Sequence, residues 1–122
     1  MEISNTPILN IEVLGSIRAL ISPSNPTFLE QLLEQFFEDA VITLNAILQA
    51  LEAGDAQALA SSAHKLRSSS ANLGATRLSE LCRTLEFHGN AGIIPDLNLS
   101  KIQLESEYNT AKAALQALQL AD

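Results

Sequence analysis

The chain has 122 residues, 47% of them hydrophobic but only 4% aromatic, and a formal net charge of −7. That length is one domain's worth and can bury a real core without metals or disulfides. The acid excess, with no run of Lys or Arg, makes nucleic acid and anionic membranes poor partners. Cys82 has no second cysteine to pair with, which suits a reducing compartment. No apolar run approaches the roughly 18 residues that span a bilayer. The start, "MEISNTPILN", is acidic and polar, unlike a secretion signal. A cytoplasmic location is expected.

Ala and Leu dominate, and β-branched residues are few, which favours packed helices over sheets. In chain order, Ile8 to Ile21 has loosely helical apolar spacing interrupted by Gly15, so a short or irregular helix is expected. "SPSNP", Ser22 to Pro26, is a break. A long helix then starts near Thr27, which has capping-box spacing to Glu30. Its predicted buried stripe is Phe28, Leu32, Phe36, Ala40, Leu44, Ile47 and Leu51. Gly54 suits a left-handed helix end, and Asp55 can cap the next helix.

The third helix is expected from about Ala56 to about Ala71, with a tight turn at "NLGAT", Asn72 to Thr76. A fourth runs from Thr76 to about His88, with Leu78, Leu81, Cys82 and Leu85 inward. "GNAGIIPDLN" reads as a loop, and the last helix spans roughly Leu99 to Leu120. Ile102, Leu104, Tyr108, Ala111, Leu115 and Leu118 are its candidates for the core. The expected fold is all-α, an antiparallel four-helix bundle with an additional short N-terminal helix. Residues 1–122 form a single helical domain, with the N-terminal segment over about 1–26 and the bundle over about 27–120.

His64 is the residue that needs explaining. Leu59, Ala63, Leu66, Ser70 and Leu73 form the buried stripe of its helix, and His64 lies roughly 140° from the centre of that stripe. It should face solvent. Its neighbours on that face include Ala60, Ser68 and Ala71, all small, with Arg67 three residues along. An incidental surface histidine and a displayed imidazole both fit this phase. A metal site would have to draw on Cys82, Glu86 and His88, whose spacing matches no strong ligand pattern.

The run "AHKLRSSSANLGATRLSELCRTLE", Ala63 to Glu86, closely resembles the signature of histidine-containing phosphotransfer (HPt) domains of multistep phosphorelays. Ala63, His64, Leu66, Ser69, Ser70, Ala71, Gly74, Ala75, Leu78, Leu81, Cys82, Leu85 and Glu86 carry the match. The long helix and the Gly-Asp break before it resemble the family too. Arg67 stands where the family usually has Lys, and Ser68 where it commonly has Gly.

The resemblance implies a carrier with no ATP site, no kinase activity and no cofactor of its own. Its histidine would accept a phosphoryl group from an aspartyl phosphate on one receiver domain and pass it to another. Mg²⁺ is expected in the partner receiver. By the same resemblance, His64 is the phospho-acceptor through Nε2. Arg67 and, less directly, Lys65 would meet phosphoryl oxygens. Glu86 would orient the imidazole through Nδ1, and Ser68, Ala60 and Ala71 would leave room for the receiver. Ser69 would pack or bond to backbone, and His88 is read as an incidental surface residue. Expected partners are response-regulator receivers and a hybrid sensor histidine kinase, and the chain is expected to be a monomer. Two other classes stay open: a module that docks on receivers without carrying phosphate, and a small metal-binding helical protein.

Overall fold

The computed structural model describes residues 7–19 and 27–120, and the side chains there apart from those of residues 18, 19, 119 and 120. Five helices follow in order: α1 Ile11–Ala19, α2 Phe28–Ala53, α3 Ala56–Asn72, α4 Thr76–Asn90 and α5 Leu97–Leu120. No strand occurs among the described residues. α3 packs on α2 and α4, and α5 packs on the same two, so four helices close into a ring. Their connections are short, which makes consecutive helices antiparallel. The break at Ser22 to Pro26 lies outside the described residues.

The helix ends follow from local chemistry, with three differences from expectation. Gly54 closes α2 at φ 68°, and Asp55 opens α3 by accepting a hydrogen bond from the Ala58 N–H, as predicted. Thr27 does sit at the start of α2, but its side chain makes no cap bond. At φ −98° and ψ 8° it is not in the extended conformation from which a capping hydroxyl reaches the first turn, so the predicted capping box with Glu30 does not form. α4 continues through Gly89 and Asn90, which the sequence assigned to the loop. α5 begins two residues early, at Leu97, because Asp96 accepts from the Leu99 N–H at 2.8 Å and caps it.

The core stripes of α3 and α4 are buried as expected. In α2, Phe36, Ala40, Leu44, Ile47 and Leu51 are buried, but in its first turns Leu29 and Leu33 replace Phe28 and Leu32. Steps of three and four are both helical, so periodicity alone cannot choose between these pairs. Leu32 is only partly buried against the core and, with Ile17, lines a groove where α1, α2 and the end of α3 meet. In α5, Leu104, Tyr108, Ala111 and Leu115 are buried, whereas Ile102 is 65% exposed. Residues two positions apart on a helix are turned by about 200°, so Leu104 and Ile102 cannot both face inward.

The N-terminal segment clamps the turn between α3 and α4. The Asn10 N–H donates to the Gly74 carbonyl at 2.7 Å, and the Thr76 N–H donates to the Ile8 carbonyl at 3.1 Å. Gly74 has φ 73°, and a Cβ there would meet the Asn10 carbonyl oxygen at 3.0 Å. Both backbone shape and packing therefore require glycine. Leu14 of α1 is buried in the core beyond this clamp.

Leu66→Ala and Leu104→Ala, each removing a fully buried side chain, should each cost about 3 kcal/mol. Ile102→Ala should change stability by less than about 0.5 kcal/mol. Urea unfolding of the three variants checks this, and a large loss at Ile102 would contradict the assigned face of α5.

Candidate functional site

His64 stands in the middle of α3 on the side away from Leu59, Leu66 and Leu73, and its side chain is 56% exposed. Lys65, Ser68 and Ala71 are exposed nearby. Ala60 departs from expectation. It is buried, and it lies where α4 crosses α3 at Gly89 rather than on an open face. The small residues around His64 thus do two jobs. Ser68 and Ala71 leave the outer side clear, while Ala60 lets the neighbouring helix come close.

α4 delivers Glu86 to the imidazole. Glu86 Oε2 is 2.9 Å from His64 Nδ1, and Arg67 Nε donates to Glu86 Oε1 at 2.6 Å. Arg67 Nη2 is also 3.0 Å from His64 Nδ1. These contacts make opposite demands on one nitrogen. A carboxylate can only accept, so the Glu86 bond needs a proton on Nδ1, whereas the guanidinium can only donate and needs a lone pair there. The guanidinium is planar with its N–H directions fixed, but at 34% exposure its other donors reach water, so losing the Nη2 contact leaves it solvated. The carboxylate has no donor to offer. The arrangement with Nδ1–H is the one that satisfies the carboxylate, and in it the Nε2 lone pair is free.

Burial opposes ionisation of Glu86, but the hydrogen bonds from Arg67 and His64 and their charges outweigh it and hold the carboxyl below its ordinary value. The Ser79 hydroxyl donates to the Arg67 carbonyl at 3.1 Å, a further tie between α3 and α4. Ser69 bonds to the Leu66 carbonyl, a local backbone contact.

Cys82 and His88 are not drawn into this cluster. Cys82 is buried, and that burial chiefly pushes its thiol up to about 12, with Arg67 lowering it and Glu86 raising it further. His88 is half-buried rather than an ordinary surface residue, and its Nδ1 is enclosed without a hydrogen-bond partner. Among the described residues, no three His, Cys, Asp or Glu side chains gather closely enough to hold a metal ion.

A groove of about 590 Å³ runs between α3 and the end of α4 up to His64 and Glu86, with Gln57, Ser61 and Asn90 along it. The structure brings together His64, Arg67 and Glu86, three residues the sequence singled out, and adds that Arg67 grips Glu86, which the sequence did not suggest. Sequence reasoning also missed Gly89, because glycine near a helix end reads as a break. The signal that could have placed it is its spacing, three residues after Glu86 on the same face.

An exposed mid-helix histidine whose inner ring nitrogen lies against a carboxylate from the next helix defines a helical bundle that displays an imidazole on its surface. The family model described as the Hpt domain matches residues 31–119, and the chain belongs to the Hpt domain family. It is 30% identical over 107 residues to histidine-containing phosphotransfer protein 4 of Arabidopsis thaliana, covering 86% of this chain and 84% of that one. It is 27% identical over 88 residues to multistep phosphorelay regulator 1 of Schizosaccharomyces pombe, covering 72% of this chain and 30% of that protein. The crystal structure of histidine-containing phosphotransfer protein B from Pseudomonas aeruginosa matches with a TM-score of 0.81 and 29% identity, over 96% of this chain and 98% of that one. The chain is a phosphorelay carrier, a role that implies receiver-domain partners in general. No helix among the described residues is long and apolar enough to cross a membrane.

Because the folded-state pKa of Glu86 is depressed, its contribution to stability is complete above the ordinary carboxyl value and is lost as pH falls through the folded one. Glu86→Gln should therefore be less stable than the parent chain at pH 7, and the gap should narrow as the medium is acidified below the ordinary carboxyl range. Urea midpoints across that range check this; a gap that stays constant with pH would contradict the ion pair.

Proposed function

We propose that His64 is the residue that carries the phosphoryl group, taking it from an aspartyl phosphate on one receiver domain and giving it to another. The observation that carries this reading is the 2.9 Å contact of Nδ1 with Glu86 on a ring that is 56% exposed. With Nδ1 protonated, the Nε2 lone pair attacks phosphorus. The N–P bond forms, the O–P bond of the acyl phosphate breaks, and the receiver's aspartate leaves as a carboxylate. No proton has to move, and the phosphorylated ring is left cationic. Glu86 lies against that cation, so its charge stabilises both the transition state and the product. Transfer onward reverses these steps at a second receiver.

Phosphoryl transfer is governed mostly by positioning and neutralisation of charge. On this reading the aspartate and Mg²⁺ come from the receiver, and this chain supplies the nucleophile and its orientation without kinase activity. Arg67 works mainly through Glu86, which it holds ionised and in place. Lys65, exposed on the next face, adds positive charge near the docking side. Ser68 and Ala71 leave the outer approach to the ring open to the receiver. The carrier acts as a monomer in the cytoplasm, and its partners are response-regulator receivers, including one attached to a hybrid sensor kinase.

Incubation with a phosphorylated receiver should label the chain, and His64→Gln should abolish the label while the helical content stays the same. The phosphoramidate bond should be lost in acid and survive alkali. Label that survives acid, or that persists in His64→Gln, would reject the assignment. No uptake at all would leave only docking without transfer.

Ser68→Gln should block the receiver with little change in thermal stability, because Gln is a good helix former and the site is exposed. Ser68→Gly should still accept phosphate but lose up to about 1 kcal/mol of stability. Arg67→Ala should slow transfer on the order of 10-fold, as removal of an orienting partner does elsewhere. Transfer rates from one phospho-receiver, with melting curves, check all three. Unchanged transfer in Ser68→Gln would mean that the receiver does not approach over this face.

A further inference from the structure

We propose that Gly89 is a positioning residue for phosphoryl transfer: it sets the spacing of α3 and α4 at which Glu86 reaches Nδ1 of His64. The inference rests on the carrier reading of His64 and goes beyond it. Gly89 is buried in the last turn of α4, three residues after Glu86 and on the same side of the helix. A Cβ at Gly89 would lie 2.6 Å from the Ala60 nitrogen, 2.7 Å from the Ala56 carbonyl oxygen and 2.9 Å from the Ala60 Cβ. The first two are backbone atoms of α3, which cannot turn aside as the end of a side chain can.

Ala60, in turn, is four residues before His64. The helix crossing at Gly89 and Ala60 therefore sits one turn from the contact between Glu86 and His64. Any side chain at Gly89 drives α4 away from α3 by roughly 1 Å, the gap between these distances and ordinary van der Waals contact. A hydrogen bond of 2.9 Å stretched by that much is no longer one. The Glu86 side chain cannot follow smoothly, because its reach changes in the steps between staggered rotamers. Its other oxygen is already committed to Arg67 on α3.

The experiment compares the full chain with Gly89→Ala, using two phosphoryl donors. One is a phosphorylated receiver. The other is phosphoramidate, a small molecule that needs no docking surface and whose P–N bond breaks as ammonia leaves. Gly89→Ala should slow uptake at least 10-fold from both donors while remaining helical. Added to Glu86→Ala, it should have no further effect, since it acts through Glu86. Ala60→Gly should restore part of the rate to Gly89→Ala by removing one of the three contacts. Gly15→Ala, where a Cβ meets nothing within 4 Å, should leave the rate unchanged.

Parental rates in Gly89→Ala would overturn the proposal. So would a loss confined to the receiver, which would make the groove, not the imidazole, the thing disturbed. An equal further loss in the Glu86→Ala background would also overturn it. If the parent chain takes up no phosphate from either donor, the carrier reading itself fails, and the proposal with it. Should Gly89→Ala not fold, Ala60→Val brings bulk to the same crossing from the α3 side, and its rates are judged by the same outcomes.

Discussion

Glu86 can hold the imidazole of His64 only because α4 lies against α3 closely enough for a carboxylate to span the gap at 2.9 Å. Almost every other feature of the site follows from that distance. A carboxylate at Nδ1 favours the tautomer in which Nε2 carries the lone pair, and Arg67 and His64 hold the half-buried carboxyl below its ordinary value. The ring needs no buried pocket, since one face of a helix suffices to display it. What must be rigid is the pair of helices beneath.

Three separate arrangements make them rigid. Below the site, Leu59, Ala63 and Leu66 of α3 share a core with Leu78, Leu81, Cys82 and Leu85 of α4. At the turn, the N-terminal segment bonds to Gly74 and Thr76, so the two helices cannot splay at their junction. On its far side, α4 is tied to α5 by the ion pair of Arg77 with Glu107 at 2.8 Å. Cys82 fits this picture as a packing residue. Its thiol is held protonated by burial, which suits a small apolar group in a core rather than a reactive one.

Much of this was legible in the sequence. The α3 stripe fixed the phase of His64, and phase is decisive there because Leu59, Ala63, Leu66, Ser70 and Leu73 are all buried. Glu86 was legible through its family motif rather than by spacing, since contact between helices is not written in either helix alone. What failed did so for identifiable reasons. Gly89 has the composition of a break, but its lack of a side chain serves a helix crossing. Ala60 reads as an open surface position until the partner helix is known. Phe28 and Leu32 satisfy a helical period, yet the choice between equivalent periods is made by neighbouring helices, whereas Ile102 is simply out of step with Leu104 two residues on. Thr27 has capping-box spacing without the backbone angles that would use it.

The central claim is that Glu86 occupies Nδ1 and leaves Nε2 as the nucleophile. The most direct test identifies which ring nitrogen carries phosphorus after transfer, by ³¹P and ¹⁵N NMR of the labelled chain. Phosphorus on Nε2, with a proton retained on Nδ1, is the predicted result. Phosphorus on Nδ1 would contradict the account, because that nitrogen cannot face Glu86 and accept a phosphoryl group at once.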